Sequence, residues 1–184
     1  MHTILQFNSI KATQFASVFL KLNGGKMNYM KLIKLMYIAD RKALLTMGNP
    51  ISTDRYVSMD RGPVLSRIYN FISEEGSEGS FWHQHIKNQP QYQVSLVQDP
   101  GSDQLSIAES DLVQRVDYEF KEKDQWEMVD YVHTLPEWVN PNGSAIPIEI
   151  RDILLAENKT LSEIELIEAE LGSVALMDQL LSRS

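Results

Sequence analysis

Hydrophobic positions recur at helical spacing over SIKATQFASVFLKL, residues 9 to 22. Ile10, Phe15, Val18, Phe19 and Leu22 carry that spacing, and Gly24-Gly25 ends the pattern. A stronger run follows. Asn28 is a good N-cap for YMKLIKLMYIADRKALLTM, and Gly48 with Pro50 closes it. At 100° per residue, Lys31, Lys34, Arg41 and Lys42 fall within a narrow arc. Tyr29, Leu32, Ile33, Met36, Tyr37, Ala43, Leu44 and Met47 cover most of the remainder. Such a helix belongs at the centre of a core.

The alternation in DRYVSMD, residues 54 to 60, predicts a short strand. Gly62 then tolerates the dihedrals of a sharp turn, and Pro63 suits the first position of a helix VLSRIYNFI with Val64, Ile68, Phe71 and Ile72 inward. After the acidic Gly/Ser-rich stretch EEGSEGS, the segments YQVSLVQ and QLSIA read as a hairpin around Asp99-Pro100-Gly101, with Tyr92, Val94 and Leu96 alternating against polar neighbours. With the strand near residue 57, this predicts a small antiparallel sheet.

Ser110 is the expected cap of DLVQRVDYEF, and Asp124 that of QWEMVDYVHTL. VNPNGSAIP reads as a loop, followed by a helix IEIRDILLA. Thr160 and Glu163 form a capping box for LSEIELIEAEL, and Gly172 separates it from VALMDQLL. The fold class is therefore mainly α with a small antiparallel β-sheet. A single compact domain over residues 1–172 is expected, with an amphipathic helical tail over 173–184. Its stripe Val174, Met177 and Leu181 is open to two uses, docking on the parent domain, the default because exposed apolar stripes are uncommon in soluble monomers, or contact with a partner.

Two polar features interrupt this patterning. Asp40 lies about 180° from Lys31, inside the apolar arc, where an unpaired carboxylate is costly. A buried pair with Arg55 or Arg61 is the expected solution. The stripe of Lys31, Lys34, Arg41 and Lys42 is expected either to be solvated or to face acidic residues elsewhere in the chain.

Charge supports the second option. The net charge of −8 over 184 residues divides unevenly: residues 1 to 72 carry ten Lys or Arg against Asp40, Asp54 and Asp60, and residues 73 to 184 carry seven against twenty-two acids. Halves of opposite sign attract each other or meet a charged partner. The 43% hydrophobic content is enough for a substantial core, and the chain has no cysteine, which excludes disulfides and thiolate chemistry. No window suits a membrane span and no secretory leader is evident, so a cytoplasmic location is expected.

Candidate chemistry is sparse. His83 and His85 at i, i+2 would share a strand face and supply two zinc ligands, but no further ligands stand nearby. Asp130 and His133, with Trp126 on the same helical face, could form an oriented carboxylate and imidazole pair. No nucleophile elbow or phosphate-cradling Gly-rich loop appears. No metal or cofactor is expected. Ile38 within the basic stripe, and the acidity elsewhere, argue against direct nucleic-acid binding.

The run MKLIKLMYIADRKALLTMGNPISTDRYVSMDRGPVLSRIYNFI resembles the core signature of the Panacea domain, also called the SocA-like or phage-associated (GepA-like) domain. The matching positions are Lys31, Leu32, Lys34, Leu35, Tyr37, Gly48, Pro50, Ile51, Asp54, Tyr56, Gly62, Pro63 and Val64, and later His133 shortly before Trp138. The likeness covers roughly residues 7 to 170. It implies a non-enzymatic antitoxin that binds and neutralises a toxin protein encoded beside it in bacteria or prophages. Members are found with unrelated toxins, including alarmone-synthetase-like enzymes, so the toxin's identity is not implied. A basic, nucleotide- or tRNA-handling toxin would suit the acidic surface.

The expected partner-contact residues are Asp60 and Arg61, on the rim of the Gly62-Pro63 turn, and Val174, Met177 and Leu181 on the tail. At the turn, a helix N-terminus beside Arg61 would favour a carboxylate or other anion. Alternatives are a proteolysis adaptor delivering a client to a protease and a metal-dependent hydrolase built on His83, His85 and His133. Homo-oligomerisation is left open.

Overall fold

The computed structural model describes residues 5–74 and 79–182; most of the EEGSEGS stretch and both chain ends lie outside them. Within these residues, Ser9–Leu22 (α1) and Tyr29–Met47 (α2) are helices with the expected bounds. The Asn28 side chain accepts from the N–H groups of Met30 and Lys31, and Gly48 ends α2 in the left-handed conformation at φ 74°. Leu32, Leu35, Met36, Tyr37, Ala39 and Leu44 are fully buried. The apolar arc thus places α2 at the centre, packed against α1, Ile107–Glu119 (α5) and Gln125–His133 (α6).

Two antiparallel three-stranded sheets flank this helical core. One joins Lys26–Asn28 (β1), Gln93–Leu96 (β5) and Ile86–Gln89 (β4), in the order β1-β5-β4. The expected hairpin contains β5 but has a different partner. IKNQ supplies the other strand, and Pro90 to Tyr92 make the turn, with positive φ at Gln91 and Tyr92. Asp99-Pro100-Gly101 is a loop tied to α1, where Gln14 donates to the Pro100 carbonyl and to Asp103. The next helix starts at Ile107, capped by Ser106 in a capping box with Glu109, rather than at Ser110.

The second sheet has the order β3-β2-β6, built from Gly62–Leu65 (β3), Tyr56–Met59 (β2) and Ile146–Ile148 (β6). Here the expectation for Pro63 is corrected. Residues 62 to 65 form a strand paired from Met59↔Gly62 to Tyr56↔Leu65, and the helix Ser66–Ser73 (α3) begins afterwards. Pro63 is accommodated on an edge strand, where its missing N–H need not face a partner. Part of the expected loop VNPNGSAIP becomes β6.

Asp54 supplies the cap that α3 lacks locally. Its carboxylate accepts from the N–H groups of Arg67 and Ile68 across the sheet, at 2.9 and 3.0 Å. Burial nevertheless pushes its pKa up.

The chain closes with Phe81–His85 (α4) near β4, Ile150–Ala156 (α7), and Leu161–Leu181 (α8). Thr160 and Glu163 cap α8 as expected, but Gly172 lies inside one continuous helix. Ile164, Leu171 and Ala175 turn inward. Val174, Met177 and Leu181, covered under the default expectation of docking, are 45, 56 and 68% exposed.

Candidate functional site

Asp40 is fully buried, as its place in the apolar arc demands, but its partners are not arginines. Oδ1 accepts from the N–H groups of Ile51 and Ser52 at 2.6 and 2.8 Å; Oδ2 accepts from the Ser52 and Tyr56 hydroxyls at 2.7 and 3.1 Å. Arg55 and Arg61 are exposed. Four short donors replace one counter-ion because the chain reverses after Gly48 and brings its own backbone against the helix. Burial still pushes Asp40 up to about 6, with the Ser52, Tyr56 and Ile51 hydrogen bonds opposing it.

Two members of the basic stripe, Arg41 and Lys42, face acids from the second half of the chain. Arg41 makes a two-pronged pair with the buried Glu137 (2.7 and 3.0 Å) and reaches Glu157. Glu137 also accepts from the Tyr37 hydroxyl at 2.8 Å, and Tyr37 meets Tyr56 edge-on. Burial opposes the charge on Arg41, but Glu137 and Glu157 outweigh it and hold its pKa above the usual value. Lys42 pairs with Glu119, and Lys31 donates to the Lys121 carbonyl. Of the two readings of this stripe, the one that faces the acidic half holds for Arg41 and Lys42, while Lys31 and Lys42 make their contacts at the surface and Lys34 is buried. Glu137 and Ser52 escaped the sequence reading; the one local hint of Glu137 was a charged residue beside Trp138 within LPEW.

The turn at Asp60-Arg61 is clamped from two sides. Asp60 accepts at Oδ1 from the Gly143 N–H (2.9 Å), and its carbonyl meets His133 Nε2 at 3.0 Å. His133 stacks on Trp138, whose indole N–H donates to the Met59 carbonyl at 3.0 Å. The Arg61 guanidinium lies over the Trp126 ring, 5.5 Å from its centre. His133 therefore serves the turn rather than pairing with Asp130.

Gly62 stands where α6 crosses the hairpin. Its φ is +93°, and a Cβ there would come within 2.4 Å of Val132 Cγ2. Because a strand and not a helix starts at this residue, the anion-attracting helix N-terminus expected beside Arg61 does not exist. Lys34 is there instead. It is 2% exposed, and its Nζ donates to the Pro63 carbonyl at 2.9 Å.

The other expected contact residues stand on a different element: Asp60 and Arg61 sit on the β2–β3 turn against α6, and Val174, Met177 and Leu181 on α8.

The histidines do not converge either. His83 and His85 sit in the helix α4, not on a strand. His83 meets the Phe71 carbonyl and the Ser80 hydroxyl, and His85 meets the Phe81 carbonyl. Among the described residues, no three His, Asp or Glu side chains are grouped to hold a metal, and no helix is long and apolar enough to cross a membrane.

A family model described as antitoxin SocA-like, Panacea domain, covers residues 32–139, from the first turn of α2 to just beyond the Trp138 clamp. No curated protein and no solved structure matches.

Proposed function

Because the chain belongs to the SocA-like Panacea antitoxin family, we propose that it binds a cognate toxin protein in the cytoplasm and neutralises it by occupying the toxin's surface. The family match over α2, the β2–β3 hairpin and α6 carries this reading. The surface supports it. The C-terminal turns of α8 are apolar on nearly every side, yet only one side packs on the domain. Val174, Leu176, Met177 and Leu180 stay outward and, with Leu181, form a face suited to a partner groove. Asp60 and Arg61 form a second, polar contact region, and acids not engaged by Lys or Arg within the chain suit a basic toxin.

Co-expression with the product of the adjacent reading frame tests the proposal. Growth arrest by that product alone, relieved by this chain and accompanied by a co-purifying complex, is the expected result. Met177→Asp with Leu180→Asp should weaken the complex at least tenfold while the melting temperature stays within a degree or two of the parent's. A neighbour that is harmless alone, or is relieved without forming a complex, would overturn the reading.

A further inference from the structure

Between α2, the β2–β3 turn and the loop at Gly143-Ser144, the surface opens into a pocket of about 260 Å³. Its walls are of two kinds. Ile33, Met59 and Val64 are apolar, whereas Lys34 and Arg61 are cationic. The Lys34 ammonium has three N–H groups and gives one of them to the Pro63 carbonyl. Among the described residues, neither Lys34 nor Arg61 has a carboxylate at ion-pair distance, whereas the buried Arg41 meets two carboxylates and the buried Asp40 accepts four hydrogen bonds. Burial alone lowers Lys34 to about 7. A buried cation with spare donors, in a pocket that Arg61 and an apolar wall also line, is chemically incomplete.

We propose that this pocket binds a small free organic acid, its carboxylate meeting Lys34 and Arg61 and its apolar stem lying against Ile33, Met59 and Val64. This goes beyond the toxin-binding reading and does not depend on it. The other charged or titratable groups around Lys34 are Asp60 on the turn, Tyr69 from α3, Tyr29 on its own helix and His133 from α6, near Gly62. Asp60 is the one acid among them, and its Oδ1 is taken up by the Gly143 N–H. A bound carboxylate favours the ammonium form of Lys34, so binding takes up a proton near neutral pH.

The test is an NMR titration of the full chain labelled at the lysine side-chain nitrogen, with hexanoate as the probe and acetate, inorganic phosphate and hexanol as controls. Hexanoate should shift the Lys34 signal saturably toward the ammonium form and raise its midpoint by at least about one pH unit, a tenfold preference for the protonated state. Hexanol should leave that midpoint unchanged, and acetate and phosphate should act more weakly than hexanoate. In calorimetry, Lys34→Met should abolish hexanoate binding and Arg61→Gln should weaken it several-fold. Absence of a saturable shift at tens of millimolar hexanoate, or equal responses to hexanoate, acetate and phosphate, overturns the proposal. Should Lys34→Met not fold, the parent's titration decides alone.

Discussion

Asp40 and Ser52 are joined by two hydrogen bonds, the Ser52 N–H to Oδ1 at 2.8 Å and the Ser52 hydroxyl to Oδ2 at 2.7 Å. The pair lashes the central helix to the segment that follows it, and Tyr56 extends the lashing into β2. Asp40→Ala leaves two backbone N–H groups and two hydroxyls unpaired in the core. At about 1–3 kcal/mol for each unsatisfied buried group, partly relieved by entering water, the expected loss is about 3–5 kcal/mol. Ser52→Ala keeps the Ile51 and Ser52 N–H groups on Asp40 but removes the hydroxyl that accepts from the Asp54 N–H, and should cost about 1–2 kcal/mol. Urea denaturation of both variants checks the ranking; equal losses would contradict it.

Glu137 holds the Arg41 guanidinium and the Tyr37 hydroxyl together inside the molecule. Glu137→Ala strands a buried cation with only the half-exposed Glu157 beside it. A loss of about 3–5 kcal/mol in urea denaturation is expected. Adding Arg41→Met to that variant should recover part of the loss, because the uncompensated charge is removed; no recovery would show that packing, not charge, dominates there.

Gly62→Ala meets two obstacles at once, a positive φ and the Val132 methyl in its path. The expected cost is about 2–4 kcal/mol, combining strain and overpacking. Val132→Ala in the same chain removes the obstructing methyl but not the backbone strain. The double variant should therefore be less destabilised than the sum of the two single changes, as a double-mutant cycle by thermal denaturation would show.

Lys34 gives stability a definite pH dependence. Its pKa falls from 10.5 to about 7 on folding, through burial. Below about pH 7 both states are protonated and the penalty is complete. Between there and 10.5 the unfolded chain binds the extra proton, so folding gains stability as pH rises. Relative to Lys34→Met, the parent should gain about 3 kcal/mol between pH 7 and 9.5. Denaturation curves for the two proteins that remain parallel across that range would contradict the burial of a poorly compensated ammonium.

The sequence by itself determined the helices α1 and α2 to the residue and the start of α6, because a helix's hydrogen bonds join positions four apart and its caps, Asn28 and Asp124, lie next to it; α6 ends at His133, two residues before the expected Leu135. It also determined that Asp40 is inside, since one carboxylate among apolar neighbours on a central helix has nowhere else to point. The family signature was legible too, in order and spacing from Lys31 to Val64.

What only the tertiary structure decided depends on groups far apart in the chain. Residues 62 to 65 are a strand rather than a first helical turn because β2 offers them a ladder, and Pro63 is tolerated because that strand lies at an edge. β4 pairs with β5 in place of the expected QLSIA, which leads instead into α5. Gly172 stays helical because Leu171 and Ala175 on either side of it pack inward, outweighing its weak propensity. Lys34 and Arg41 share a stripe on α2 and differ in fate through what crosses above each: Arg41 meets Glu137, nearly a hundred residues later, and Lys34 meets a carbonyl and an open pocket. Periodicity fixes which side of a helix a residue occupies, but its partner is fixed by long-range packing.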